Sequence, residues 1–246
     1  MIGLRGVRFR YPDNPEGNAA LSGIDLDIAD GAFTAILGAA GSGKSTLAKI
    51  LDALLIPTAG TVSVDGLVID SAAKPTGELL MKVRSTVGMV FQNPVNQIIG
   101  DTVEQDVAYG PSNLGLDHAE IVRRTDAALR TMGLGELRLR NPAHLSGGQM
   151  QRLAIAGALA MGTRHIVLDE SLSMLDPQGR DEVLANLRRL NREEGLGIIM
   201  ISHDARDCTG CDRFIVLDKG RIAMEGCPED LALKKDVLRA LGVRTC

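Results

Sequence analysis

The chain has no tryptophan and few other aromatics, four Phe and two Tyr in 246 residues. A surface that stacks on exposed bases needs a set of planar side chains, so a nucleic-acid stacking platform is excluded. Basic charge is not in excess either, since 27 Lys and Arg stand against 31 Asp and Glu, for a net charge of -4. Neutralising a phosphate backbone takes clustered cations, and a broad nucleic-acid-binding face is not expected. Long apolar runs are missing: Leu153 to Met161 and Ile198 to Ile201 fall well short of the ~18 residues that span a bilayer. No charged-then-apolar leader opens the sequence, so a cytosolic location is expected. Cysteine is scarce. Cys208 and Cys211 have the Cys-x-x-Cys spacing of redox or zinc sites, with Cys227 and Cys246 as the available further partners. Without a second such pair or a His-x-x-x-His, the expectation is a pair of small buried residues.

What the chain does have is hydrophobic patterning that switches between two periods. Val7, Phe9 and Tyr11 alternate with Arg8 and Arg10, and Leu21, Ile24, Leu26 and Ile28 are interleaved with Asp25 and Asp27, as in half-buried strands. Asp30-Gly31 reads as a turn between two strands. Ala32 to Leu37 is an apolar run feeding a glycine loop, and Ser45 to Leu55 has helical periodicity, ended by Pro57. Gly60 to Ile69 predicts a hairpin turning at Asp65-Gly66, and Val87 to Phe91 a buried strand. From about Asn93 to Met161 the pattern is helical and loop-rich, with Ala119 to Met132 the clearest amphipathic helix. Arg164 to Leu168 and Gly197 to Ile201 are apolar strands separated by a helix over Gly179 to Arg192. Phe214 to Leu217 and Arg221 to Glu225 pair around Asp218-Lys-Gly220. This length fits one large α/β domain, with the helical stretch 93–161 set between residues 1–92 and 162–246, in which strands alternate with helices.

Three motifs carry chemistry. Gly38-Ala-Ala-Gly41-Ser42-Gly43-Lys44-Ser45 is a phosphate loop set between an apolar strand and a helix. Its glycines turn backbone N–H groups of about Gly41 to Thr46 inward, and the helix adds its positive end. Lys44 would reach the β and γ phosphates of a nucleotide, and the Ser45 hydroxyl would ligate magnesium. Ile166-Val-Leu-Asp169-Glu170 places two carboxylates at the end of a buried strand. Asp169 would hold magnesium through water, and Glu170 would activate the attacking water as general base. Leu145-Ser146-Gly147-Gly148-Gln149 is the third motif. Ser146 suits an N-cap and Gln149 a capping box, while Gly147-Gly148 permits close approach of backbone to an anion.

These motifs, in this order, resemble the ATP-binding cassette (ABC) family. The resemblance implies an ATPase that sandwiches ATP and Mg2+ between two cassettes, the phosphate loop of one facing Ser146 to Gln149 of the other. It implies a P-loop NTPase core of mainly parallel sheet flanked by helices, with an antiparallel β subdomain and an inserted helical subdomain. It further implies that Gln92 touches magnesium and the attacking water, that His203 contacts the γ-phosphate and holds Glu170, that Tyr11 stacks on adenine, and that Asp176, in Ser173-Met-Leu-Asp176, crosses the dimer interface. His118, His144 and His165 are left as structural or surface residues.

Val87 to Gln97, continued through Asp106 to Gly115, is similar to the ATPases of energy-coupling factor (ECF) importers, and so is Asp169 to Pro177, where Ser171 replaces a usual proline. That similarity implies a peripheral subunit on the cytoplasmic side of the membrane, with a second ATPase, a transmembrane T subunit and a substrate-binding S subunit for a vitamin or transition-metal ion. Two departures bear on pairing. Members often carry a further C-terminal helical region beyond the point where this sequence ends, which puts constitutive dimerisation in question. Ser171-Leu172 in place of Pro-Thr suits one half of an unequal pair, so homodimer and heterodimer both stand. The alternatives are the ATPase of another ABC importer class, or a soluble ABC ATPase acting as a clamp or assembly protein. The latter would call for a coiled-coil insertion, a second cassette or a basic face.

Overall fold

A computed structural model of the chain describes residues 1–13, 19–208 and 210–245, so Cys246 lies outside the described residues. The chain runs β1 (Ile2–Phe9), β2 (Leu21–Ile28), β3 (Phe33–Leu37), α1 (Lys44–Leu51), β4 (Ala59–Val64), β5 (Leu67–Asp70), α2 (Gly77–Thr86) and β6 (Val87–Val90). It continues through α3 (Val103–Asn113), α4 (His118–Thr131), α5 (Gly147–Ala160), β7 (His165–Asp169), α6 (Pro177–Glu194), β8 (Gly197–Ser202), β9 (Arg213–Asp218), β10 (Arg221–Gly226), α7 (Pro228–Leu233) and α8 (Lys235–Ala240).

Two sheets result. An antiparallel one has the order β2-β1-β4-β5, and a mainly parallel one the order β10-β9-β3-β8-β7-β6, with only β9 and β10 antiparallel. The central strands of the second sheet, β3, β7 and β8, are buried on both faces, as parallel strands covered by further layers must be. Successive residues serve different cores. Ile36, Val167, Ile199 and Ile201 face a cluster with α1 and the antiparallel sheet, whereas Leu37, Ile166, Leu168 and Met200 face one with α3 to α6. At about 1.5–3 kcal/mol for each fully buried large apolar side chain, this two-sided burial makes β3, β7 and β8 the most firmly held part of the chain. Their C-terminal ends carry the phosphate loop, Asp169-Glu170 and His203.

Asp30-Gly31 forms the expected turn between β2 and β3, and it carries the chain from one sheet to the other. Local detail departs from expectation at three places. Helix α1 stops at Leu51, several residues before Pro57, where Ala53 adopts a left-handed φ of 54°. Helix α2, capped by Thr76 on the N–H of Leu79, has no counterpart in the periodicity; it buries only Val83. Tyr11 lies past the end of β1.

Candidate active site

Helix α1 begins at Lys44 with Gly43 as its N-cap and no side-chain hydrogen bond on its free N–H groups. Helices α2 to α6 each begin under a capping side chain: Thr76, Thr102, Asp117, Ser146 and Asp176. A bare helix start preceded by a glycine turn is an anion seat. The glycines are sterically required. At Gly43, φ is 105° and an added Cβ would lie 2.5 Å from the carbonyl of Ala20; at Gly38, φ is 148° and it would lie 2.3 Å from that of Leu217.

Lys44 is buried and its Nζ donates to the carbonyls of Gly38 (2.9 Å) and Ala39 (2.8 Å), 3.9 Å from Glu170 Oε1. Burial pushes its ammonium below the ordinary lysine value, and the charges of Glu170 and Asp169 oppose that shift. Ser45 Oγ donates to Asp169 Oδ1 at 3.0 Å, tying the start of α1 to the end of β7. Burial pushes the Asp169 carboxyl up and the neighbouring Glu170 adds to this, while the Ser45 hydroxyl and Lys44 hold it back.

Glu170 has a left-handed φ of 49°, uncommon for a residue with a Cβ. It is held there by its N–H donating to the Ile201 carbonyl at 3.0 Å and by the Ser173 hydroxyl donating to its own carbonyl at 2.8 Å. Backbone strain held from several sides is characteristic of functional positions. Its carboxylate is the meeting point of the cluster: Gln92 Nε2 donates to Oε2 at 3.4 Å, and His203 Nδ1 lies 3.6 Å from the same oxygen. Tyr11 packs edge-on against Phe9, ring centroids 5.0 Å apart, with its hydroxyl 3.1 Å from Thr46 Oγ1 at the phosphate-loop helix.

The third motif stands apart. Ser146 Oγ accepts from the N–H of Gln149 at 3.2 Å and Gln149 Oε1 accepts from the N–H of Ser146 at 2.9 Å, a complete capping box on α5. Gly147 and Gly148 follow at the helix tip. Asp176 caps α6 by accepting from the N–H of Gly179 at 2.6 Å, and borders the same open cleft of about 520 Å³ as Ser146 to Gln149. Among the described residues no hydrogen bond or ion pair joins these residues to Gly38–Thr46, Asp169, Glu170 or His203. The site residues therefore form two groups on one molecule.

A buried network under His203 carries no motif in the sequence. Arg180 on α6 pairs with Asp207, which accepts from the Ser202 hydroxyl, and Ser202 Oγ accepts from the N–H of Asp204 at 3.0 Å. The carbonyl of His203 accepts from the N–H of Arg244 at 2.7 Å, so the chain's last described segment braces this loop. Only the pairing of a charge on α6 with one beyond β8 could have signalled it, and a linear pattern does not show that. Cys208 and Cys211 are free, buried neighbours, and the hydrogen bond between them together with burial raises the Cys208 thiol.

Known proteins match this arrangement. The ABC transporter family model matches residues 21–173. The ECF transporter ATP-binding protein EcfA1 of Symbiobacterium thermophilum is 53% identical over 98% of this chain and 84% of its own length. The cobalt import ATP-binding protein CbiO of Syntrophus aciditrophicus is 44% identical over 99% and 84%. In structure, cbiO1 of Clostridium perfringens, part of the ABC transporter complex cbiONQ, superposes with a TM-score of 0.84 at 36% identity, over 99% of this chain and 95% of that one. The cassette MJ0796, solved as a dimer in a post-hydrolysis state with ADP and Pi, gives 0.84 at 31% identity over 93% and 99%. With sequence, fold and motif order in agreement over nearly its whole length, the chain belongs to the ABC transporter family as an ATP-hydrolysing cassette of the energy-coupling factor type.

Proposed function

We propose that this chain is the motor of a membrane importer for a micronutrient, a vitamin or a transition-metal ion, and that it works by closing with a second cassette around two ATP molecules. The observation that carries the reading is the division of the site residues into two groups with separate outlets. One group has the means to hold and hydrolyse ATP but leaves one side of the triphosphate open. The other is a glycine-tipped helix start with no phosphate seat of its own. Two cassettes arranged head to tail supply each other's missing half. Residues 93–161 would be the helical subdomain that brings this second group across, and residues 1–92 with 162–246 the core.

In that reading Gly38, Gly41, Ser42, Gly43 and Thr46 present backbone N–H groups to the phosphates. Lys44 exchanges its two carbonyl partners for β and γ oxygens, and Tyr11 stacks on adenine. Ser45, Asp169 and the amide oxygen of Gln92 form an all-oxygen donor set, which suits magnesium. When bound there, magnesium neutralises charge on the triphosphate. Glu170 takes a proton from the attacking water, and Gln92 and His203 keep its carboxylate aimed. Ser146, Gly147, Gly148 and Gln149 of the facing cassette contact the γ-phosphate, and Asp176 lies at the interface between the two sites. Closure moves the membrane subunits and hydrolysis resets them.

No helix among the described residues is long and apolar enough to cross a membrane. A transmembrane T subunit would therefore supply the channel and an S subunit the cargo site, with this chain peripheral on the cytoplasmic face. The reading does not involve nucleic acid. Its test is association. Glu170→Gln with ATP and magnesium, assembled with its membrane complex, is expected to accumulate as a closed cassette pair in light scattering or cross-linking. Cassettes that stayed strictly separate under those conditions would sink it.

A further inference from the structure

At the opposite end of β7 from the ATP site lies a second cluster of ligand-type side chains. His165 opens the strand and Asp169 closes it; four residues at about 3.3 Å each put them ~13 Å apart. His165 is fully buried, and neither ring nitrogen has a hydrogen-bond partner. Orphaned buried polar atoms of this kind are rare and call for a reason. The ring is packed tightly: a Cβ added to Gly197 would come within 2.3 Å of Nδ1. That leaves Nε2 pointing at two carboxylates, 3.4 Å from Asp30 Oδ1 and 4.0 Å from Asp65 Oδ1. The three ligand atoms all lie within 4.8 Å of one another.

These residues come from three separate segments. Asp30 lies in the passage from β2 to β3, and Asp65 is at the tip of the β4–β5 hairpin, held there with a left-handed φ of 48°. Cationic groups already gather on the carboxylates: the Met1 amino group contacts both, 2.5 Å from Asp65 Oδ1, and Arg164 Nη1 lies 2.9 Å from Asp65 Oδ2.

We infer that Asp30, Asp65 and the buried His165 form a binding site for a divalent transition-metal ion of the zinc or cobalt class, separate from the ATP site and clamping the antiparallel sheet to the parallel one. The spacing fits the chemistry. Bonds of about 2.0–2.1 Å in a tetrahedral centre set neighbouring ligand atoms roughly 3.3–3.4 Å apart. The His165–Asp30 separation already meets this; Asp65 Oδ1 must come about 0.6–0.7 Å nearer to Nε2, and the Met1 amino group, which contacts both Oδ1 atoms, must give way to the metal. One imidazole and two carboxylates favour zinc, cobalt or nickel over magnesium.

The test is titration of the full-length protein with Co2+, followed by absorption and calorimetry. It is run in a Cys227→Ser, Cys246→Ser background to remove two further thiols, and in excess Mg2+ to occupy oxygen-only sites. One Co2+ per chain is expected, with visible bands typical of a tetrahedral nitrogen and oxygen environment, displacement by Zn2+, and a metal-dependent rise in Tm. Asp30 is exposed, so Asp30→Asn should fold normally; loss of a direct ligand should weaken binding by at least about tenfold, the lower end of what altering a mere supporting residue costs. His165→Gln should abolish the bands. Absence of a one-to-one complex, or equal affinity in wild type and Asp30→Asn, overturns the inference and leaves the cluster as an ion-pair network around the Met1 amino group.

Discussion

The two halves of the site are built on opposite plans. In the phosphate-loop half, side chains from β3–α1, β6, β7 and β8 touch one another: Lys44 and Gln92 reach Glu170, Ser45 reaches Asp169, and His203 closes on Glu170. Much of it is buried, and Lys44 and Asp169 titrate away from their ordinary values as a result. In the other half, Ser146, Gln149 and Asp176 spend their side chains capping their own helices at an open cleft. The short stretch from Ser171 to Leu175 is the direct covalent link between them. One half is preorganised within the molecule, and the other is a pair of capped helix starts bordering an open cleft. Among the described residues no hydrogen bond or ion pair joins the two, which supports the proposed sharing of each site between two cassettes.

The largest expected effect probes the first half. Glu170→Gln keeps the shape but removes the proton acceptor, and turnover should fall by about 10²–10⁴-fold while ATP is still retained. Normal turnover in a single-turnover assay would remove Glu170 from its role. Next comes Lys44→Ala. Loss of a charge-assisted contact of about 1.5–3 kcal/mol should weaken nucleotide binding by roughly tenfold to a hundredfold, read by equilibrium titration.

A sharper break of the comparison uses both halves at once. Lys44→Ala disables the phosphate-loop half and Ser146→Arg blocks the helix tip, so each variant alone has no intact composite site. Mixed in equal amounts, half the pairs are hybrids with one good site of two, and about a quarter of wild-type ATPase activity should return. A mixture that stays dead means the facing half comes from a sibling cassette, and the same mixing with that sibling is then the measurement.

How much of this was readable in the chain depends on how local each feature is. The Asp65-Gly66 turn, the glycine loop and the Ser146–Gln149 capping box are fixed by residues a few positions apart, and the structure has them where the pattern puts them. The Asp30-Gly31 turn shows the limit. Its chemistry specifies a change of direction but not the sheet that receives the next strand, which packing decides. Pro57 is the obvious breaker after α1, but the helix ends at Leu51 with Asp52 as C-cap, and Ala53 beyond it takes a left-handed φ. Helix α2 carries little periodic signal, because Val83 is the one residue it buries. The Arg180–Asp207–Ser202 network and the Asp30–Asp65–His165 cluster join segments distant in sequence, so their members look like ordinary charges until the fold gathers them.

A smaller effect separates capping from nucleotide contact in the second half. Ser146→Ala removes the N-cap of α5 and should cost about 1 kcal/mol of stability, seen as a modest drop in Tm of the isolated protein. If the hydroxyl does nothing more than cap, ATPase activity below that Tm stays at the wild-type level. A loss of activity larger than the stability change accounts for marks a direct role in the shared site.

An effect that shows only as a dependence on pH tests why the first half can be preorganised at all. Helix α1 is buried over most of its length, with Ser45 exposed and Lys49 half-buried, and its C-cap, Asp52, is buried with it. Burial pushes the Asp52 carboxyl up to about 7, with Arg84 only partly opposing, and the negative end of the helix dipole is no place for an anion. Since the folded pKa is the higher one, the folded protein binds the extra proton between about pH 4 and pH 7. In that window the unfolded chain holds fewer protons, so stability from this group is full below pH 4, falls as pH rises, and levels off above about 7. Asp52→Asn carries no such charge. The variant should gain on wild type as pH rises from 5 to 8, by on the order of 1–3 kcal/mol at the top of the range, measured as the difference between the two urea-unfolding curves at each pH. A difference that stays flat across that range would mean Asp52 is charged and well solvated, and that the helix carrying Lys44 is held less tightly than its burial implies.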